Sequence, residues 1–376
     1  MLGENKAMTD RGSAAAASGV RRSPRDLKLS FAKLAAQAAP AQASARPAPR
    51  VLPATASVPE RGALYAAAFR FLEQTFPAVH GGKSVALAPA RAIVERMAAV
   101  TAGPDALFVA ALHRDDRARY PVQHGVNVAV YAVKMAQDLG LERERQVELG
   151  MCGLLHDIGM ARIPEELIHR PGALGEPDRE ILRRRPAAAF DILKGLGPEA
   201  VPIAECAAQV CERMDGSGYP RGLRGDELHE SAKIIGLLDL YEALVHSRPN
   251  RQRLSFFEAM KYIFKSCKTQ FERRHMKSLL RVFTVFPVHS YVLLNSEAIG
   301  RVVESYPDQP MRPKLQILLD AQRRKTLAER TVALAEEPLL NIVRCVSEAE
   351  MTDLLRGGAA TAPPEENCDT VQEPLL

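Results

Sequence analysis

Several large classes of protein are excluded by what this chain does not have. Its six cysteines (Cys152, Cys206, Cys211, Cys267, Cys345 and Cys368) show no paired short spacing, and no apolar leader precedes them. They read as reduced thiols of a cytoplasmic protein rather than as a disulfide frame. No stretch approaches the ~18 uninterrupted apolar residues of a membrane helix, so membrane insertion is not expected. A basic face is missing as well, despite a formal charge of +5. Residues 1–62 carry ten Lys/Arg against four Asp/Glu, a net +6 that leaves the other 314 residues at −1. The basic pI therefore belongs to the leading segment, and DNA is not an expected partner.

Large apolar groups are scarce at first. Residues 1–58 are rich in Ala, Pro, Ser and Arg and cannot bury a core, so they read as a disordered tail. Helical periodicity starts near Ala63, and residues 59–120 form an N-terminal helical region. A helical core is expected over 121–270. It contains a helix from His124 to Leu139, a nearly all-apolar one from Val147 to Ile158, helices at 177–185 and 187–196, and an apolar helix from Ser231 to about Val245. Between them lies a long loop at 213–230 with Gly216, Gly218, Gly222 and Gly225. Residues 271–335 change texture: Val282 to Phe286, Tyr291 to Leu294, Ile299 to Val303 and Leu315 to Leu319 suggest short strands. A helix and a polar, disordered tail complete 336–376. The fold class is mainly α, a helical bundle with a small C-terminal β appendage.

Four side chains sit where charge is unwelcome. His156 and Asp157 interrupt an apolar run, Asp239 lies within Ile234 to Leu240, and His124 opens an apolar helix. An unpaired buried carboxylate costs several kcal/mol. A histidine on an apolar helix is commonly a hydrogen-bonded core residue, and a lone Asp there caps a neighbouring helix or pairs with Arg. The other solution is a divalent cation shared by imidazoles and carboxylates.

The order His124, then Leu155-His156-Asp157-Ile158-Gly159, then Asp239 resembles the H…HD…D pattern of HD-superfamily phosphohydrolases. The run Glu212-Arg213-Met214-Asp215-Gly216-Ser217-Gly218-Tyr219-Pro220-Arg221-Gly222-Leu223 resembles the signature loop of the HD-GYP subfamily. Ile163-Pro164, Arg170-Pro171-Gly172, Asp239-Leu240-Tyr241-Glu242-Ala243-Leu244, Arg248-Pro249 and the segment around Phe286-Pro287 extend the likeness over about residues 104–320. That resemblance implies an all-helical HD core with a two- or three-metal centre that hydrolyses cyclic di-GMP through metal-activated water. Carried over residue by residue, His124, His156, Asp157 and Asp239 would ligate metal, with Asp157 indispensable to turnover. Arg248 and Arg251 would face phosphate or guanine, although a surface salt bridge serves equally for Arg248. Tyr219 and the loop glycines would shape the pocket.

This chain departs from the family at telling places. Met160 stands where the family has Lys, Arg185-Pro186 where it has His-Pro, and Val210-Cys211 where it has a His-His pair. The four retained residues are the one-metal set, so one divalent ion (Fe, Mn or similar) is expected rather than two or three. Cys211 could ligate a soft metal as thiolate. Arg185 could set a fixed positive charge where a cation used to sit, attracting substrate phosphate without generating hydroxide. Three functions remain open: a phosphodiesterase of reduced activity on cyclic di-GMP or a related nucleotide, a catalytically silent module that binds the nucleotide or a protein partner in signalling, and a mononuclear phosphohydrolase on another nucleotide.

Overall fold

The computed structural model describes residues 58–100, 111, 119–249, 253–283, 286, 288–306, 309–326 and 330–355. Two helices lead, α1 (Val58–His80) and α2 (Leu87–Val100), followed by α3 (Tyr120–Asp138) and α4 (Arg143–Leu155). A 3-10 turn spans Ile158–Arg162. Then come α5 (Glu165–Ile168), α6 (Glu176–Leu182), α7 (Arg185–Leu193), α8 (Val201–Gln209), α9 (Glu230–Val245), α10 (Phe256–Ser266) and α11 (Arg273–Val282). The expected disordered tails and Arg251 lie outside the described residues.

Helices α3 and α9 form the centre of the bundle. Every residue of α9 from Ser231 to Val245 is buried, and in α3 burial runs unbroken from Pro121 to Val133. A helix with no polar face must be enclosed on all sides. Helix α4 crosses α3 at backbone contact distance, because a Cβ on Gly153 would lie 2.8 Å from the Ala129 Cα. Helix α10 starts with a capping box, in which Ser255 Oγ accepts from the Glu258 amide and the Glu258 carboxylate accepts from the Ser255 amide.

The chain around Val282 is helical rather than extended. His275, Met276, Leu279 and Leu280 are buried at helical spacing, and Ser278 and Arg281 both bond Asp138 of α3. Tertiary pairing thus outweighs the β-branched texture of the segment. Val285 lies outside the described residues.

The other three expected strands form, as β1 (Tyr291–Leu294), β2 (Ile299–Glu304) and β3 (Lys314–Leu319). Two more join them, β4 (Thr331–Ala333) and β5 (Ile342–Val346), in an antiparallel sheet of order β4-β3-β2-β1-β5. Burial alternates along β3, so one face covers a core of Leu293, Ile299, Leu319 and Val346. Helix α12 (Glu348–Leu355) closes that core with Met351 and Leu354. Mainly α with a small β appendage describes the whole.

Candidate metal centre

Helical spacing builds the first half of the centre. Asp239 and Glu242 are one turn apart on α9, and His124 and Asn127 are one turn apart on α3, so the two pairs face each other. His124 Nε2 lies 2.8 Å from Asp239 Oδ1, while His124 Nδ1 bonds Glu242 Oε2. The third helix contributes from its end. His156 caps the C-terminus of α4, its amide bonding the Cys152 carbonyl, and Asp157 caps the following 3-10 turn. His156 Nε2 is 3.2 Å from His124 Nε2 and 3.6 Å from Asp239 Oδ1. His124, His156 and Asp157 thus offer ligand atoms within 4.8 Å of one another, Asp239 lies against the two histidines, and all four are buried.

Each ring nitrogen is assigned from the partner it faces. His156 Nδ1 donates to the Gly153 carbonyl at 2.8 Å, and His124 Nδ1 donates to Glu242. Both Nε2 atoms are therefore turned inward beside a carboxylate oxygen. No well-directed hydrogen bond reaches Asp239 Oδ1, Asp239 Oδ2 or Asp157 Oδ1. Three acceptors converging 2.8–3.6 Å apart match ligands on one ion, since bonds of about 2.1 Å place neighbouring ligands roughly 3.0–3.4 Å apart. A divalent ion fits these residues. Without it, the cluster relies on protons: burial opposes charge on His124, but Glu242 and Asp239 outweigh burial and raise its pKa to about 9.

The second half of the centre is different. Arg185, at the start of α7, is 2% exposed. Its guanidinium lies 3.3 Å from Asp157 Oδ1 and 3.7 Å from Asp239 Oδ2, and Nη2 donates to Cys211 Sγ at 3.2 Å. Burial disfavours this charge, yet Asp157, Cys211 and Asp239 hold it. Gly159 makes the approach possible, since a Cβ there would sit 2.0 Å from the Arg185 carbonyl oxygen. The neighbouring Val210 is buried and offers no ligand atom. Met160, also buried, belongs to an apolar cluster with Ile163, Leu167 and Leu182, against which Phe76 of α1 packs.

The 213–230 loop sits over Cys211. Glu212 accepts from the amides of Arg221 at 2.7 Å and Leu223 at 3.0 Å, and the Tyr219 amide donates to the Cys211 carbonyl. The Tyr219 phenol faces Cys211, and burial raises its pKa. Arg248 stands on the other side, its guanidinium 5.3 Å above the Tyr120 ring. It lines a narrow cleft with Tyr120, Gln123, His124, Glu242, His246 and Ser247.

Sequence reasoning missed Glu242 and Asn127 as parts of the site. Their one-turn offset from Asp239 and His124 within apolar helices was the available signal. Among the described residues, one other group has ligand spacing, Glu230, Glu272 and His275. Lys233 and Arg274 already pair with its carboxylates.

Residues 109–274 match the family described as HD domain, and residues 291–354 match the KOW domain associated with HD domain. The cyclic di-GMP phosphodiesterase PA4108 of Pseudomonas aeruginosa is 26% identical over 255 residues, which cover 67% of this chain and 61% of that protein. The 3'3'-cGAMP-specific phosphodiesterase 1 of Vibrio cholerae is 37% identical over 146 residues, 39% of this chain and 34% of that protein. The chain thus spans less than two thirds of the length of either relative. A solved structure, Bd1817, a HDG"Y"P protein from Bdellovibrio bacteriovorus, aligns with a TM-score of 0.49 at 15% identity, covering 68% of this chain and 78% of that one.

The bundle, its buried His-Asp centre and the matched segments define an HD-domain protein, the fold of metal-dependent phosphohydrolases. Within that class, the chain resembles the HD-GYP type, and the relatives it matches are named as cyclic-dinucleotide phosphodiesterases.

Proposed function

We propose that this protein is a cyclic-dinucleotide-responsive HD-GYP module that holds one divalent ion and hydrolyses its ligand poorly, so that binding is its main output. The supporting observation is the Arg185 guanidinium, buried between Asp157 and Asp239. A fixed cation in that place balances the charge of the two carboxylates that would otherwise recruit a further ion.

His124, His156, Asp157 and Asp239 would hold the single ion. Bound there, it would supply acidified water and neutralise charge on a phosphoryl oxygen. Arg185 adds a permanent positive charge beside it but carries no exchangeable water. Met160, packed among apolar side chains, supplies neither proton nor charge. Arg248 is placed to meet a phosphate arriving through the cleft beside His124. As it stands, that cleft has room for little more than one water molecule, so a dinucleotide must open it to bind. The nucleotide class follows the relatives named for cyclic di-GMP and 3'3'-cGAMP. The buried free thiols suit the cytoplasm.

The complete four-residue ligand set favours a second reading, slow hydrolysis by a mononuclear centre. The test is an assay of binding and turnover of cyclic di-GMP and 3'3'-cGAMP with Mn(II) or Fe(II). Saturable binding is expected, with turnover more than about 100-fold below the roughly 10 per second typical of enzymes. Rapid turnover abolished by Asp157→Ala would overturn the binding reading, and slow turnover abolished by it would carry the second. Absence of nucleotide binding would refute both.

A further inference from the structure

Behind the metal centre, a line of buried polar groups runs from His124 to the N-terminal helix. Glu242 accepts from His124 Nδ1 on Oε2 and from Asn127 Nδ2 on Oε1 at 2.9 Å. Asn127 Oδ1 in turn accepts from the Tyr65 hydroxyl at 2.7 Å. His246 completes the surroundings of Glu242, with Nδ1 3.2 Å from Oε1. Tyr65, Asn127 and Glu242 are at most 2% exposed, so the links are shielded from bulk solvent. A second contact ties α1 to the opposite side of the centre, where His80 Nδ1 meets the Ala161 carbonyl at 2.9 Å, just past Asp157.

Chemistry gives the chain of contacts a direction. A metal-binding imidazole almost always donates its other N–H to an acceptor, which fixes the tautomer and aims the lone pair. Glu242 is the acceptor for His124. A buried carboxylate that served two donors badly would rotate, and the imidazole would turn with it. Asn127 fixes the rotation of Glu242, and Tyr65 fixes which way the Asn127 amide faces, since a phenol can donate only to its oxygen.

We propose that α1 is a working part of the metal centre: Glu242 is the positioning residue for His124, and Tyr65, acting through Asn127, sets how tightly the centre holds its ion. This rests on the reading of His124 as a metal ligand. Displacement of α1 by any partner would then weaken the site from behind, without touching a ligand.

The experiment is Co(II) titration of the full chain against a competing chelator, for wild type, Tyr65→Phe, Glu242→Gln and the double variant, each checked by thermal unfolding. Glu242→Gln should weaken Co(II) binding roughly 10- to 100-fold. Tyr65→Phe, which removes one buried hydrogen bond, should weaken it about 5-fold. The double variant should match Glu242→Gln alone, because the line is already broken there. Wild-type affinity in Tyr65→Phe, or losses that multiply in the double variant, would overturn the proposal. Should Glu242→Gln not fold, the Tyr65→Phe result decides. If wild type takes up no Co(II), the metal reading itself fails. In that event the imidazole ¹H–¹⁵N spectrum decides: a His124 resonance unmoved by Tyr65→Phe refutes the line of contacts, and a displaced one upholds it.

Discussion

The two sides of the buried centre solve one problem in different ways. On the α3 side, His124 and His156 present two nitrogen lone pairs beside Asp239, and their outer nitrogens are held by Glu242 and the Gly153 carbonyl. That arrangement waits for a cation. On the α7 side, Asp157, the far oxygen of Asp239 and Cys211 converge on Arg185. That arrangement carries its own. Under the proposed reading, one side leaves room for a single ion, and on the other a side chain already balances the charge of the carboxylates.

Breaking both sides together should have the largest effect. Asp239→Ala removes the carboxylate that both halves share, leaving a buried guanidinium with a single carboxylate partner. It should lower stability by about 3–5 kcal/mol and eliminate metal uptake, as read by denaturant unfolding and metal content. Arg185→Met probes the α7 side alone. In chelator it should cost a similar 3–5 kcal/mol, and Mn(II) should restore much of the loss, whereas wild type gains less from the ion. Gly159→Ala is subtler. Its new methyl group meets the Arg185 backbone, so overpacking should cost about 1–3 kcal/mol and disturb nucleotide binding more than metal uptake.

The smallest effect is expected away from the centre, in the β appendage. Arg344 hydrogen-bonds Glu350 and holds its carboxyl below the usual range. The stabilisation is present above the free glutamate pKa of about 4.3 and is lost as pH falls through the lowered native value. Arg344→Ala should remove that part of the acid dependence, worth no more than about 1 kcal/mol, and leave metal content unchanged.

Much of this architecture was legible in the sequence. Apolar runs located α3, α4 and α9, and the spacing of His124, His156-Asp157 and Asp239 marked side chains that the structure gathers within one cluster. Strands β1 to β3 were visible from their apolar, β-branched texture. Helix α11 was not, because its buried residues and its bonds to Asp138 depend on a partner 140 residues away. The inward turn of Arg185 was legible only as a possibility. Whether a guanidinium faces a ligand or two aspartates is decided by how closely α7 can approach Gly159, a backbone distance that no local pattern encodes. Nothing in the sequence singles out Tyr65, for the same reason: its partner Asn127 lies 62 residues on.

The central claim is that the Arg185 guanidinium stands in for a second metal ion. Its most direct test is the number of Mn(II) ions bound per chain at saturation in wild type and in Arg185→His, counted by elemental analysis. The account predicts one ion in wild type and a second in the variant, where an imidazole joins Asp157 and Cys211. Two ions in wild type, with Arg185 still in place, would contradict it.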